Sequence, residues 1–232
     1  DPGLHDQELD CTICAAGTHS FAGNATCTVC ASGKYLTDDA TSAEFHNSKD
    51  DCVVCPSGKY LVDAGTDSTL HDSVEDCQDC VAGKYLDDDA TDSDQHDEEE
   101  DCHICESGKY SGVGAPACTI CPKGRYNDDR AGDHALHDVL EDCLVCGEGK
   151  YLADDGLNAT LHDSEDDCTF CIAGKYLIDN NQIDASLHDE EADCTICAAG
   201  QYSSSASPQC SACGAGKYLT DDGVEVVTHD SE

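Results

Sequence analysis

The chain has no methionine, no tryptophan and only three phenylalanines among its 232 residues. So few large apolar side chains cannot fill one common core, so covalent staples must replace burial. Cations are scarce as well. Eleven Lys and Arg stand against 50 Asp and Glu, for a formal net charge of −39. A polyanion of this size repels nucleic acid. The same charge keeps the chain soluble and extended, and divalent cations are its natural counter-charge. No membrane span or signal peptide is legible in the segment.

What is abundant is cysteine. Twenty of them put the chain in the composition range of disulfide scaffolds. Paired cysteines at such spacings also occur in zinc ribbons, which belong in a reducing compartment. Two Asn-x-Thr sequons, at Asn24 and Asn158, favour the secretory route and disulfides. The expected location is therefore extracellular or at the cell surface.

The cysteines form ten Cys-x-x-Cys pairs, starting at Cys11, Cys27, Cys52, Cys77, Cys102, Cys118, Cys143, Cys168, Cys194 and Cys210. Successive starts lie 16, 25, 25, 25, 16, 25, 25, 26 and 16 residues apart. One short unit is followed by three long ones, and the block repeats after 91 to 92 residues. Fixed-period self-similarity marks a quasi-one-dimensional array. The organisation is the tail of a long repeat over 1–11, one short and three long repeats over 12–103, the same over 104–195, and a short repeat with an incomplete long one over 196–232. All nine tyrosines occupy one slot of this frame, Cys-x-x-Gly-x-Tyr. An aromatic ring with a polar tip is suited to cover a disulfide in a unit without a core. The glycine of that slot calls for a turn that a Cβ would hinder.

A unit that is duplicated and still folds must close itself. The second Cys of one pair then bonds the first of the next. That rule predicts Cys14–Cys27, Cys30–Cys52, Cys55–Cys77, Cys80–Cys102, Cys105–Cys118, Cys121–Cys143, Cys146–Cys168, Cys171–Cys194 and Cys197–Cys210. Each loop should gain about 3 kcal/mol from closure. Cys11 and Cys213 remain over, and the chain reads as an internal segment in which both pair with residues outside it. Little periodic structure is expected. Short strands should lie around Lys34–Leu36 and its equivalents, with a helical turn in the His-Asp-Ser stretch. The fold class is thus a small disulfide-rich repeat array, an elongated rod of irregular modules with short strands, turns and little helix.

The residues Cys55, Gly58, Tyr60 and Cys77, with their equivalents along the chain, resemble the ephrin-receptor-like cysteine-rich repeat. They are also similar to the first half-module of tumour-necrosis-factor-receptor cysteine-rich domains. The resemblance implies slender stacks of disulfide-closed modules on extracellular proteins, without catalysis. Receptor modules alternate this half with a two-bridge half, and none is present here.

Long units add fixed polar positions. Asp stands three residues after the Tyr, at Asp38, Asp63, Asp88, Asp129, Asp154, Asp179 and Asp221. His stands six residues before a closing Cys position, at His5, His46, His71, His96, His137, His162, His188 and His229. Another Asp precedes the closing Cys, as at Asp51 and Asp76. Calcium takes six to eight oxygens, largely from carboxylates and carbonyls, so the first Asp set is the candidate calcium site. The competing role for these carboxylates is turn capping and pairing with Lys. A hydrogen bond to backbone or to a nearby Asp is the favoured role for the His, over a metal ligand or a pH switch. Eight repeated copies argue against a catalytic site. The Thr- and Ser-rich loop middles offer positions for O-linked sugar.

The leading functional expectation is an extracellular structural protein that self-associates as a repeating component of a fibre or surface array, acidic and N-glycosylated at Asn24 and Asn158. The alternatives are a receptor or adhesion ectodomain for a protein ligand and an acidic calcium-binding protein. Against the first, only the unit at Cys121 departs from the frame, with Arg125, Asn127 and Arg130.

Overall fold

A computed structural model describes residues 8–178 and 184–219. The chain is a disulfide-rich repeat array. Nine bridges close nine modules, Cys14–Cys27, Cys30–Cys52, Cys55–Cys77, Cys80–Cys102, Cys105–Cys118, Cys121–Cys143, Cys146–Cys168, Cys171–Cys194 and Cys197–Cys210. Cys11 and Cys213 are not bridged to any cysteine of this chain. Contacts group the chain into two compact units, residues 1–103 with 113–117, and residues 104–112 with 118–232.

Regular structure within a module is minimal. A two-residue strand at the Gly-Lys-Tyr slot pairs antiparallel with the two residues after the closing Cys. Lys34 faces Val54 and Tyr35 faces Val53, and Lys150 faces Phe170 as Tyr151 faces Thr169. Two 3-10 turns follow in each of the six long loops among the described residues, such as Ala43–Phe45 and Lys49–Asp51. They flank the His-Asp-Ser stretch on both sides. The first turn is capped by Ser42, Asp67, Asp92, Asp133, Asn158 or Asp184, whose side-chain oxygen accepts the N–H two residues on. Such caps satisfy amides that a short helix leaves orphaned.

The core is split among the modules. In five long modules the bridge is buried with the leucine that follows the module's own tyrosine, as Leu36 is with Cys30 and Cys52. The tyrosine, however, lies on the next module's bridge. Tyr60 packs on Cys80, Leu86 and Cys102. Tyr126 packs on Cys146, Leu152 and Cys168. Tyr35 and Tyr151 do the same one module on. The sequence placed each ring over its own unit's bridge; the packing assigns these four to the successor's bridge. In the first module His19 fills the tyrosine slot, with Nδ1 3.7 Å from Cys52 Sγ, and burial lowers its pKa despite the nearby Asp51 carboxylate.

Backbone bonds repeat the same forward reach. The Gly33 amide donates to the Leu61 carbonyl at 2.9 Å, and the Cys55 amide donates to the Gly33 carbonyl at 2.8 Å. The slot glycine also abuts the module after next. A Cβ on Gly33 would sit 2.5 Å from the Ser93 carbonyl oxygen, and one on Gly124 would sit 2.5 Å from that of Ala185. Both glycines have φ near +70°, where a side chain is already strained.

A second left-handed position lies in the long loops. It holds Gly65 and Gly156 in two modules but Ala40, Ala90 and Ala131 in three others, with φ between 57° and 66° for the alanines. Two substitutions separate these positions in a denaturant titration. Gly33→Ala should destabilise by about 2–4 kcal/mol, through strain and a backbone clash. Ala90→Gly should stabilise by about 0.5–1 kcal/mol, since relief of the left-handed strain outweighs the added chain entropy.

Candidate functional site: the histidine joint and its acidic loop

The histidine of each long loop among the described residues is buried. His71, His96, His137 and His162 are fully buried, and His188 is nearly so. Each ring reaches backward to the preceding module. His71 Nδ1 lies 2.7 Å from the Lys34 carbonyl, and His96 Nδ1 lies 2.7 Å from that of Lys59. His162 and His188 make the same bond to Arg125 and Lys150, each at 2.8 Å. A carbonyl only accepts, so Nδ1 donates. The histidine's own carbonyl answers by accepting the amide of the residue after the preceding tyrosine. Leu36 donates to His71 and Leu61 to His96, both at 2.8 Å. One residue thus completes a strand that belongs to its neighbour.

Nε2 faces the aspartate of its own loop. The distances are 2.9 Å for His46 to Asp38, 3.0 Å for His71 to Asp63, 3.0 Å for His96 to Asp88, 2.9 Å for His137 to Asp129 and 2.9 Å for His162 to Asp154. The ring therefore lies between two acceptors, a carbonyl and a carboxylate, and both bonds are complete when both nitrogens carry protons.

Every one of these carboxylates is held by further donors. The Thr41 hydroxyl, then His46 and the Thr41 amide, bring Asp38 down to a pKa of about 2, against the raising effect of burial. The Thr66 hydroxyl and amide, followed by His71, hold Asp63 well below the usual carboxylate range. Burial pushes Asp88 up, but His96 and the Asp92 and Thr91 amides together outweigh it and leave it lowered. His137 and His162 are the leading causes of the lowered values of Asp129 and Asp154. Asp179 and Asp221, like His5 and His229, lie outside the described residues.

The aspartate before each closing cysteine has a different task. Asp51 and Asp76 accept the amides of Ser48 and Ser73 at 2.8 and 2.9 Å. Asp142, Asp167 and Asp193 each accept two successive amides at the start of the second turn. The two aspartates of a loop are thus used separately, one on the histidine and one as a cap. Among the described residues, the acidic groups close enough to share an ion are Asp97, Glu98 and Asp101, and Asp189, Glu190 and Asp193. None contains an aspartate of the proposed calcium set.

The unusual module at Cys121 turns its substitutions inward. The Arg125 guanidinium donates to the Cys143 carbonyl at 2.7 Å. The Asn127 amide donates to the Leu136 carbonyl, and its oxygen accepts the Asp129 amide. Arg130 alone of the three is exposed. Short modules carry no joint histidine and use other groups. The Ser203 hydroxyl donates to the Lys175 carbonyl at 2.8 Å, and Ser207 accepts the Leu177 amide.

Sequence reasoning found the histidine and the aspartate, and offered backbone or a nearby Asp as the histidine's partner, but not which aspartate it is nor the backward reach to the neighbour. A signal was present: the histidine occurs only in long loops and never varies there. No protein-family model matches the chain, and no curated protein matches it either. The structural likeness remains that of a cysteine-rich repeat with short antiparallel strand pairs. Among the described residues no helix is long and apolar enough to cross a membrane.

Two measurements check the joint. His71→Ala leaves the Lys34 carbonyl and Asp63 without their partner and should cost about 2–4 kcal/mol in denaturant titration. Amide exchange should quicken in the module of Lys34 as well as in that of the substitution. The lowered aspartates fix the sign of the acid response. Their stabilisation is present above the ordinary carboxylate pKa near 3.8 and is lost as pH falls toward the value of about 2 held by Asp38. Thermal stability should therefore decline below about pH 4 and be flat just above about pH 5.

Proposed function

We propose that the protein is an extracellular structural protein, a repeating component of a filament or surface array, acidic and glycosylated. The observation that carries this reading is the joint itself. The same tyrosine, glycine and histidine contacts lock one long module to the next, so spacing is set by backbone bonds and not by a flexible linker. Nine disulfides fit an oxidising compartment. The described surface offers repeated acidic loops in place of one distinctive patch. Recognition of a protein ligand calls for exposed aromatic or Arg anchors, and two of the three unusual residues at Cys121 are consumed by internal bonds.

Copies bearing a net charge of −39 repel one another, so assembly depends on screening. Calcium would act here between copies, at exposed carboxylates, since the loop aspartates already have protein donors. Electron microscopy of native material tests both parts. Filaments with a lateral repeat matching the 91- to 92-residue block are expected. They should loosen in chelator while the isolated modules keep their amide-exchange protection. Single unassembled particles at every ionic condition would overturn the structural reading.

A further inference from the structure

We infer that Asn158 carries an N-linked glycan, and that its first sugar lies in the groove beside it. Asn158 is the cap of the turn Ala159–Leu161. Its Oδ1 accepts the Thr160 amide at 3.2 Å and the Thr160 hydroxyl at 2.9 Å. Four of the five corresponding caps are Asp67, Asp92, Asp133 and Asp184. Asp67 holds Thr69, and Asp184 holds Ser186, in the same way through one oxygen. Capping therefore explains an acceptor oxygen here but gives no use for an amide nitrogen. Asn158 keeps the oxygen in its structural role and presents an Nδ2 with no partner among the described residues. Both Asn158 and Thr160 are exposed, and together they form a sequon.

The turn it caps lines a cavity of about 340 Å³, together with Glu106, Ser107, Arg130, Ala131 and Asp163. That volume is at the small end of ligand sites. Hydroxyls, carboxylates and one guanidinium suit the hydroxyl and amide groups of an N-acetylhexosamine. Arg130 is exposed there with no ion-pair partner among the described residues. The donor class is a lipid-linked oligosaccharide diphosphate. The bond from sugar C1 to Nδ2 forms, the bond from C1 to the phosphate oxygen breaks, the amide loses one proton, and the lipid diphosphate leaves.

The inference rests on the extracellular part of the proposed function but not on filament assembly. Cleavage at lysine isolates residues 151–175 of the native chain after reduction. That peptide should carry a hexosamine-containing mass, which peptide N-glycosidase removes with conversion of Asn158 to Asp. An unmodified peptide overturns the site, whatever the state of Asn24. Asn158→Asp installs the residue that caps the equivalent turns, so it should fold unchanged and lose the mass. A glycan persisting on that peptide would place the sugar elsewhere. Labelling of Arg130 by a dicarbonyl reagent should be several-fold slower in the glycosylated chain than after enzymatic removal. Equal labelling overturns the seating of the sugar in the groove. Filaments that form equally from the Asn158→Asp chain would keep the structural reading independent of this one.

Discussion

Most long modules of this chain have a bridge and a leucine but nothing to lay over them. The ring that closes the small core comes from the module before, as Tyr60 does for Cys80–Cys102. Burial of an aromatic side chain is worth about 2–3 kcal/mol. Here that gain exists only when two modules are joined. The disulfides limit the unfolded state, but the folded state of each unit is defined by its predecessor. This dependence explains how a chain without methionine or tryptophan holds a single structure. It has no central core to fill, only a series of interfaces, each about one ring and one leucine wide.

Polar groups follow the same economy. The long loop needs two turns and one strand closure, and it uses short side chains for all of them. Aspartate serves as cap at Asp67 and Asp76 and as histidine partner at Asp63. The acidic composition is therefore partly structural. Opposite charge on the Lys side chains adds little, since pairs such as Lys84–Glu99 and Lys175–Glu191 have exposed carboxylates, and exposed pairs are worth about 0–1 kcal/mol.

Much of the fold was legible because the repeat is written in cysteine. The spacing of the pairs defined the module, and the Gly-Lys-Tyr slot marked its strand. The caps were legible in kind, since Asp and Ser before a short turn have one common use. What pattern could not supply was direction. A tyrosine beside a disulfide reads the same whether it covers its own bridge or the next. A histidine with two nitrogens reads as bonded to backbone and Asp, but the identity of the carbonyl depends on how modules stack. Gly33 was assigned to a turn, as its φ requires; its contact with Ser93 depends on a neighbour two modules away. Arg125 and Asn127 stood out as departures from the frame, but sequence shows residue type and not orientation.

The backward reach of the histidine has a consequence for how the chain is made. The carbonyl of Lys34 waits for His71, 37 residues later, and Gly33 waits for the turn at Ser93. A chain emerging from its N-terminus can oxidise a bridge as soon as both cysteines are out. The same module stays unfinished until its successors arrive. Synthesis thus leaves a travelling front, two modules deep, of bridged units whose strand carbonyls and slot glycines still lack their partners. Behind that front the array is sealed, and only the newest modules offer unpaired backbone groups to whatever folds them.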